Sequence, residues 1–275
     1  MGPEGRAVSA AGAAGYIHGT SRAEQDRLHA QARQLEAMVF EGVDFTGRRR
    51  LLEVGCGAGA QTKLLLERFP GLAIAAVDAS PAQVERARAE LAGRVEVTLA
   101  DARRLPYADA SFDAAFLCWV LEHMARPLEV LREVRRALAP GAVVYGIEVF
   151  NASLHLEPDC PSVRAYWERL NRRQSAAGGD PEVGAKLGNL LLEAGFKDVV
   201  TSVWPRHHDQ RDRAALASQL DYWRTLMLSA EPELRRAGLA DDSLVAGLER
   251  EFEGLKTDPR SVFYYTPVKF SARRP

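Results

Sequence analysis

Cysteine is scarce in this chain of 275 residues, which contains only Cys56, Cys118 and Cys160. An odd number of cysteines at wide spacing, without a CxxC pair, argues against a disulfide framework or a zinc site and favours a reducing cytoplasm. Long hydrophobic runs are also lacking, since no stretch approaches the ~18 apolar residues that span a bilayer. We therefore expect a cytoplasmic protein without a bound metal and without a membrane partner.

An excess of charge of either sign is missing as well. The chain has 36 basic and 37 acidic residues, and its net charge is −1. Such a balance provides no electrostatic footprint for nucleic acid and no attraction to an anionic membrane. We expect a globular protein, a monomer or a homodimer, whose partner is a small molecule.

Short apolar strands and helices alternate about five times up to residue 150. Both faces of a parallel sheet are covered by helices, so its strands are continuous apolar runs, as they are here. The pattern predicts an α/β fold with a Rossmann-like, seven-stranded, mostly parallel sheet and helices on both faces. The predicted strands cover 51–54, 73–77, 95–99, 112–118 and 142–149, and helices are predicted at 21–40, 61–69, 81–91 and 127–138.

The second half of the chain is mostly helical by the same criteria. Two further strands are predicted at 196–204 and 261–271, and about 55 mostly helical residues between them predict helical cap insertions. We expect a single domain over 21–275, with a cofactor-binding core at 45–150 and cap segments at about 151–195 and 205–260. Residues 1–20 are Ala/Gly-rich at their start, and we expect a flexible segment there that folds over the site as a lid.

Acidic residues stand at the ends of three successive predicted strands, at Glu53, Asp78 and Asp101. Glycines 55, 57 and 59 follow the first of them, and they let the backbone approach a ligand before a helix N-terminus begins. Ligands of open α/β sheets bind beyond the carboxyl ends of the strands. A carboxylate at Asp78 can accept hydrogen bonds from both hydroxyls of a ribose, and Asp101 can meet an adenine amino group.

Together these segments resemble the class I S-adenosylmethionine-dependent methyltransferases, over about residues 50–150. Within this family, the sequence is most similar in pattern to the small-molecule group that includes ubiquinone and menaquinone biosynthesis enzymes. Residues 51–59 are similar to the glycine motif of that family, 77–81 to its ribose motif, 100–113 to its adenine-side motif and fourth strand, and 138–142 to the turn before strand five. The dehydrogenase fingerprint fits less well, because it needs a glycine where Ala60 stands.

The resemblance implies S-adenosylmethionine as methyl donor and S-adenosylhomocysteine as product. Ala142 departs from the family pattern, which more often has glycine there. The residues expected to bind the cofactor are Tyr16, Glu53, Gly55, Cys56, Gly57, Gln61, Thr62, Asp78, Ala79, Gln83, Asp101, Ala102, Cys118, Trp119 and His123.

The acceptor side is less well defined by the sequence. His123 and Glu148 are the candidates for a general base. The alternative for His123 is that it braces its loop, and the alternative for Glu148 is a loop whose polar side chains are hydrogen-bonded by its own backbone. Adjacent His207 and His208 in an extended segment point to opposite sides, which argues against a shared metal ion. The candidate substrate residues are Tyr16, His18, Trp119, Glu148, Asn151, His155, His207, Tyr222 and Tyr265, and core packing is the alternative for the aromatic ones.

The predicted activity is methyl transfer to an oxygen, nitrogen or carbon of a small molecule. One alternative is a methyltransferase that acts on tRNA or protein, but strand four ends in Cys118-Trp119-Val120-Leu121 rather than in the Asn/Asp-Pro-Pro-Tyr/Phe tetrapeptide of amino-directed enzymes. The other alternative is a non-catalytic protein that binds S-adenosylmethionine and serves in interactions.

Overall fold

The computed structural model describes residues 17–275. Its main sheet has seven strands in the order β3-β2-β1-β4-β5-β10-β7. The first five strands in this order run parallel, and β10 runs antiparallel to both of its neighbours. The strands are β1 (Arg50–Val54), β2 (Ala73–Asp78), β3 (Glu96–Leu99), β4 (Phe112–Cys118), β5 (Leu138–Glu148), β7 (Lys197–Val203) and β10 (Val268–Arg273).

Helices cover both faces of this sheet. Adjacent strand residues point to opposite sides, so neighbouring residues pack against different helices. Leu51 packs with the first four helices, whereas its neighbour Leu52 packs with α5 and α7. The helices of the first face are α1 (Arg22–Gln34), α2 (Glu36–Phe40), α3 (Ala60–Arg68) and α4 (Pro81–Leu91), and those of the second are α5 (Pro127–Ala137) and α7 (Leu187–Glu193). The α/β fold with a Rossmann-like, mostly parallel seven-stranded sheet is thereby confirmed.

A second, three-stranded sheet of order β6-β9-β8 lies apart from the first. It consists of β6 (His155–Glu157), β8 (Arg206–Asp209) and β9 (Val262–Tyr265). Residues of β9 share a separate hydrophobic core with the remaining helices, built on Tyr166, Trp223 and Phe252 among others. These helices are α6 (Pro161–Ala176), α8 (Arg213–Ser229), α9 (Glu231–Arg236) and α10 (Asp242–Thr257).

The structure corrects the predicted elements at three places. The helix predicted over 21–40 is interrupted at Leu35 and forms α1 and α2. The strand predicted over 261–271 is divided at Thr266 and Pro267, so that β9 joins the small sheet and β10 joins the main one. Strands β6 and β8 and helix α9 were not predicted, since three, four and six residues are too short for a periodic signal. None of the helices within residues 17–275 is both long enough and apolar enough to cross a membrane.

Candidate active site

A glycine turn connects β1 to α3, at the carboxyl end of the central strand. Gly55, Gly57 and Gly59 all have positive φ angles, of 72°, 52° and 84°. The backbone N–H groups of Gly55 and Cys56 donate to the carbonyl of Val77, which ties the turn to the end of β2. A Cβ on Gly55 would lie 2.3 Å from Cγ2 of Val120, so the close approach of the loop after β4 excludes any side chain here.

Asp78 lies at the end of β2 and faces the glycine turn. Its Oδ2 accepts a hydrogen bond from the N–H of Gly57 at 2.9 Å, and its Oδ1 accepts one from the N–H of Ser80 at 2.8 Å. Burial raises the pKa of Asp78, while these donors and the neighbouring His123 oppose the rise. A carboxylate oxygen has two lone pairs, so each oxygen can accept a further hydrogen bond from a ligand.

Asp101 stands beyond the end of β3 and is paired with Arg103. The guanidinium Nη2 of Arg103 lies 2.7 Å from Oδ2 of Asp101. This pairing holds the pKa of the Asp101 carboxyl below its usual range. A ligand that reaches Asp101 therefore meets an ionised carboxylate whose orientation is fixed by its neighbour.

Glu53, at the end of β1, lies beneath the glycine turn and is 2% exposed. Its Oε2 has no hydrogen-bond partner within the described part of the chain. Burial raises the pKa of Glu53 to about 7, and the negative charge of Asp78 adds to the shift. Neither Glu53 nor the equally buried Thr62 lines the cavity described next, so they support the turn from behind.

A cavity of about 360 Å³ extends from the glycine turn to the helices of the second core. Its volume is within the range of small-molecule sites. Among the predicted cofactor and substrate residues, those that line it are His18, Gly55, Cys56, Gly57, Gln61, Asp78, Ala79, Gln83, Asp101, Ala102, Cys118, Trp119, His123, Asn151, Tyr222 and Tyr265. Tyr16 was predicted as well, and it lies outside the described residues.

The far half of the cavity has an aromatic wall. The ring of Trp223 lies 4.6 Å from that of Tyr265 and 5.3 Å from that of Trp167, centroid to centroid, and Tyr222 adjoins it at 6.3 Å. The hydroxyl of Tyr265 donates to Oδ1 of Asn151 at 3.2 Å, which joins β9 to the segment after β5. An apolar or aromatic ligand body would find complementary surface here.

His18 enters the cavity from the chain segment that precedes α1. Its Nδ1 lies 2.6 Å from Oγ of Ser229, and that hydroxyl donates to the carbonyl of Leu226 at 2.7 Å. A hydroxyl has one hydrogen to donate, so with Ser229 donating to Leu226 the Nδ1 of His18 is the donor of this pair. Burial, together with the neighbouring Arg27 and His123, holds the pKa of His18 well below its usual value.

Glu148, predicted as a base and as a substrate ligand, is fully buried and does not line the cavity. Its Oε1 accepts hydrogen bonds from the N–H groups of Val120 and Leu121 at 2.9 and 2.7 Å. Its Oε2 lies 3.4 Å from the N–H of Glu122. The carboxyl group therefore orders the loop after β4 and, contrary to the prediction, does not line the cavity.

The same geometry makes the stability of the protein pH-dependent. Burial and the charge of Glu122 raise the pKa of Glu148 to about 8. An unfolded glutamate ionises near pH 4.3, so the folded state retains a proton that the unfolded state releases between these values. The free energy of unfolding thus falls as pH rises through this window, by up to about 1.4 kcal/mol per pH unit from this group.

We expect Glu148→Gln to flatten this dependence, since glutamine does not titrate. Urea denaturation at pH 5, 6, 7 and 8 measures the slope for wild type and variant. Glu249→Gln, on the exposed face of α10, serves as the matched control and should keep the wild-type slope. Equal slopes in wild type and Glu148→Gln would refute the assignment of this proton to Glu148.

Two predicted substrate residues lie away from the cavity. His155 on β6 is exposed, and its Nε2 lies 3.3 Å from Oε1 of Glu157. His207 on β8 is also exposed and pairs with Asp209 at 3.8 Å. Neither lines the cavity. For His207 the reason is that strand alternation turns its side chain to the side opposite to that of its neighbour Arg206. Within residues 17–275 no cluster of three or more metal-ligating side chains exists.

Several cavity residues were not predicted from the sequence. They are Arg27 and Gln31 on α1, Glu122 after β4, Trp167 and Gln174 on α6, Arg206 on β8, and Gln219 and Trp223 on α8. Side chains alternate between the two faces of the extended segment 206–209, and this alternation was the sequence signal available for Arg206. The residues on helices had no signal of a ligand site beyond their positions on amphipathic faces.

Comparison with known proteins identifies the family. Residues 52–146 match the methyltransferase domain family. A trans-aconitate 2-methyltransferase of Methylobacterium radiotolerans is 31% identical over 236 residues, which are 80% of this chain and 84% of that protein. The chain belongs to the S-adenosylmethionine-dependent methyltransferases. The predicted family, enzyme class and cofactor are thereby confirmed.

Two further matches are more limited. One covers about half of the relative's length, and the other shows a common fold. An uncharacterized transposon protein of Streptomyces fradiae is 33% identical over 169 residues, 60% of this chain and 48% of that protein, so the chain spans about half of it. The structure of Haemonchus contortus phosphoethanolamine N-methyltransferase 2 with phosphomonomethylethanolamine and S-adenosylhomocysteine aligns with a TM-score of 0.55. It is 18% identical over 90% of this chain and 53% of that chain, which shows a shared fold.

Proposed function

We propose that the protein transfers a methyl group from S-adenosylmethionine to a small-molecule acceptor held against the aromatic wall. The observation that supports this most is the continuity of the cavity, which connects Asp78 and the glycine turn with Tyr222 and Tyr265 without an intervening wall. The named relative that acts on trans-aconitate, a small acid, agrees with an acceptor of this size.

The residues of the near half fit an adenosine-containing cofactor. Asp78 has acceptor capacity left after its two backbone hydrogen bonds and would bind the ribose hydroxyls. Asp101 and Ala102 would meet the adenine, and the glycine turn would lie along the sugar and the methionine. Around Gly57 a Cβ would have no neighbour within 4 Å, which leaves room for a ligand there.

When bound, S-adenosylmethionine supplies an activated methyl group on a positively charged sulfur. The acceptor atom would form a bond to this methyl carbon as the carbon–sulfur bond breaks, which would release the sulfur as a neutral thioether. The protein has to align the acceptor and exclude water. Burial raises the pKa of Cys118 well above its usual value, which disfavours the nucleophilic thiolate at neutral pH.

A general base is needed only when the acceptor carries a proton at working pH. His18 and His123 both line the cavity, and the lowered pKa of His18 favours its neutral form. We infer that a histidine of this pair, His123 or His18, accepts the proton from such an acceptor. Glu148 supports the loop that carries His123 rather than taking part in this transfer.

We also propose different roles for the two parts of the chain. The core at 45–150 binds the cofactor, and the segments at about 151–195 and 205–260, with the small sheet, form the cap that selects the acceptor. We further infer a cytoplasmic monomer or homodimer that does not bind nucleic acid. The near-neutral net charge and the three free thiols support this.

Release of S-adenosylhomocysteine from a panel of metabolites tests the proposal. We expect acceptor-dependent release with at least one small molecule and none with Asp78→Ala. Tests of bulk tRNA and a protein lysate run alongside. Turnover confined to tRNA or protein would replace the small-molecule assignment, and silence with every class would support a non-catalytic role.

A further inference from the structure

We propose that the acceptor carries a carboxylate on an apolar body, and that Arg206, held by Gln219, binds this carboxylate. The inference rests on the proposed function and specifies the substrate class of the same cavity. It starts from a positive charge that the described part of the chain leaves uncompensated.

Arg206 lies at the start of β8 and lines the cavity. Its Nη2 donates to Oε1 of Gln219 at 2.5 Å. Its Nε is buried without a hydrogen-bond partner, and no carboxylate lies within 4.0 Å of the guanidinium among residues 17–275. Burial lowers the pKa of Arg206, as expected for a cation withdrawn from water.

The other two arginines of the cavity wall are paired. Arg27 forms an ion pair with Glu24 at 2.6 Å, and Arg103 pairs with Asp101 at 2.7 Å. Glu122, the carboxylate nearest to the acceptor half, accepts from Gln174 at 2.8 Å and lies 3.7 Å from His123. Arg206 is therefore the one arginine of this wall, among residues 17–275, that has no carboxylate directly paired with its guanidinium.

A half-buried charge without a partner is costly, and it becomes favourable when a ligand supplies the opposite charge. One guanidinium matches one carboxylate in charge and in planar hydrogen-bond geometry. The neutral amide of Gln219 fixes the side chain without consuming its charge. Tyr222 is a neighbour of Arg206, and Tyr222 and Trp223 both line the cavity, which favours an apolar body on the acid.

The chemistry of transfer agrees with this class of acceptor. A carboxylate is ionised at neutral pH, so an acid methylated on that group would need no base, whereas one methylated elsewhere would use the carboxylate for binding alone. In both cases Arg206 is a binding residue, and the reacting bonds are those of the proposed methyl transfer.

Matched ligand pairs test the proposal without knowledge of the natural acceptor. With S-adenosylhomocysteine present, 3-phenylpropanoate, 3-phenylpropanamide and 2-phenylethyl phosphate are titrated by calorimetry into wild type, Arg206→Gln, Arg206→Lys and the exposed control Arg211→Gln. We expect wild type to prefer the acid to the amide by about tenfold or more. Arg206→Gln should lose about tenfold to a hundredfold for the acid and nothing for the amide, the range for charged hydrogen bonds.

Arg206→Lys should retain part of the preference, and Arg211→Gln all of it. Equal affinity of wild type for acid and amide, failure of the acid to bind, or an equal loss in Arg211→Gln would overturn the proposal. Tighter binding of the phosphate than of the acid would overturn the choice of a carboxylate. S-adenosylmethionine binding is measured on the same proteins without S-adenosylhomocysteine: its absence in wild type counts against the proposed function, and its presence without acid preference counts against the carboxylate alone.

Discussion

Replacement of Asp78 by alanine is expected to weaken S-adenosylmethionine binding by about a hundredfold or more. The carboxylate would accept two charge-assisted hydrogen bonds from the ribose, each worth about 1.5–3 kcal/mol, and each 1.4 kcal/mol is tenfold in affinity. The variant also leaves the N–H groups of Gly57 and Ser80 without their acceptor, which loosens the turn. Titration calorimetry with S-adenosylmethionine measures the change.

Asp113→Ala is a suitable matched control for this variant. Asp113 also accepts two backbone hydrogen bonds, from Arg49 at 2.8 Å and Arg50 at 2.9 Å, but it lies at the opposite end of the sheet. We expect its affinity for S-adenosylmethionine to equal that of wild type. A similar loss in both variants would mean that the effect arises from loop disorder, and unchanged affinity in Asp78→Ala would remove the residue from the cofactor site.

Gly55→Ala is expected to cause the largest loss of stability among these variants. Its φ of 72° is in the left-handed region, which costs a residue with a Cβ about 1–2 kcal/mol. The new Cβ would also lie 2.3 Å from Cγ2 of Val120, and overpacking of this kind costs about 1–3 kcal/mol. Together these terms amount to roughly 2–5 kcal/mol, which corresponds to a fall in Tm on the order of 5–15 °C.

Gly42→Ala separates the two contributions. Gly42 has a φ of 73°, and a Cβ there would meet nothing within 4 Å, so this variant has the backbone cost without the clash. Its Tm should fall by only a few degrees. Adding Val120→Ala to Gly55→Ala should restore part of the lost stability, because the nearest clashing atom, Cγ2, is removed while Cβ at 2.8 Å remains. Thermal unfolding of wild type, Gly55→Ala, Gly42→Ala and the double variant Gly55→Ala/Val120→Ala measures these changes in Tm. Equal losses in Gly55→Ala and Gly42→Ala would refute the clash with Val120.

The cofactor half of the site was predictable because its signals are local. Glu53, Asp78 and Asp101 each follow an apolar run, and the carboxyl ends of parallel strands meet at one edge of the sheet. The prediction of Glu53 as a lining residue went further than this rule allows. The strand order places Glu53 at the edge, yet the glycine turn passes over it and separates it from the cavity.

The acceptor half depends on contacts between distant parts of the chain, so the sequence alone could not place it. The hydroxyl of Tyr265 meets Asn151, which is 114 positions earlier. Glu148 reads as a polar residue at a strand end, and only the fold shows that the loop at 120–122 covers it with N–H groups. Pro267, which lacks an N–H group, was the one local signal that the last predicted strand is divided.

Calorimetric titration of the wild-type protein with S-adenosylmethionine tests the central claim most directly. We expect saturable binding at one site per chain, competition by S-adenosylhomocysteine, and no competition by NAD, since Ala60 stands where the dinucleotide fingerprint needs a glycine. Absence of binding, or displacement of S-adenosylmethionine by NAD, would contradict this assignment of the cavity.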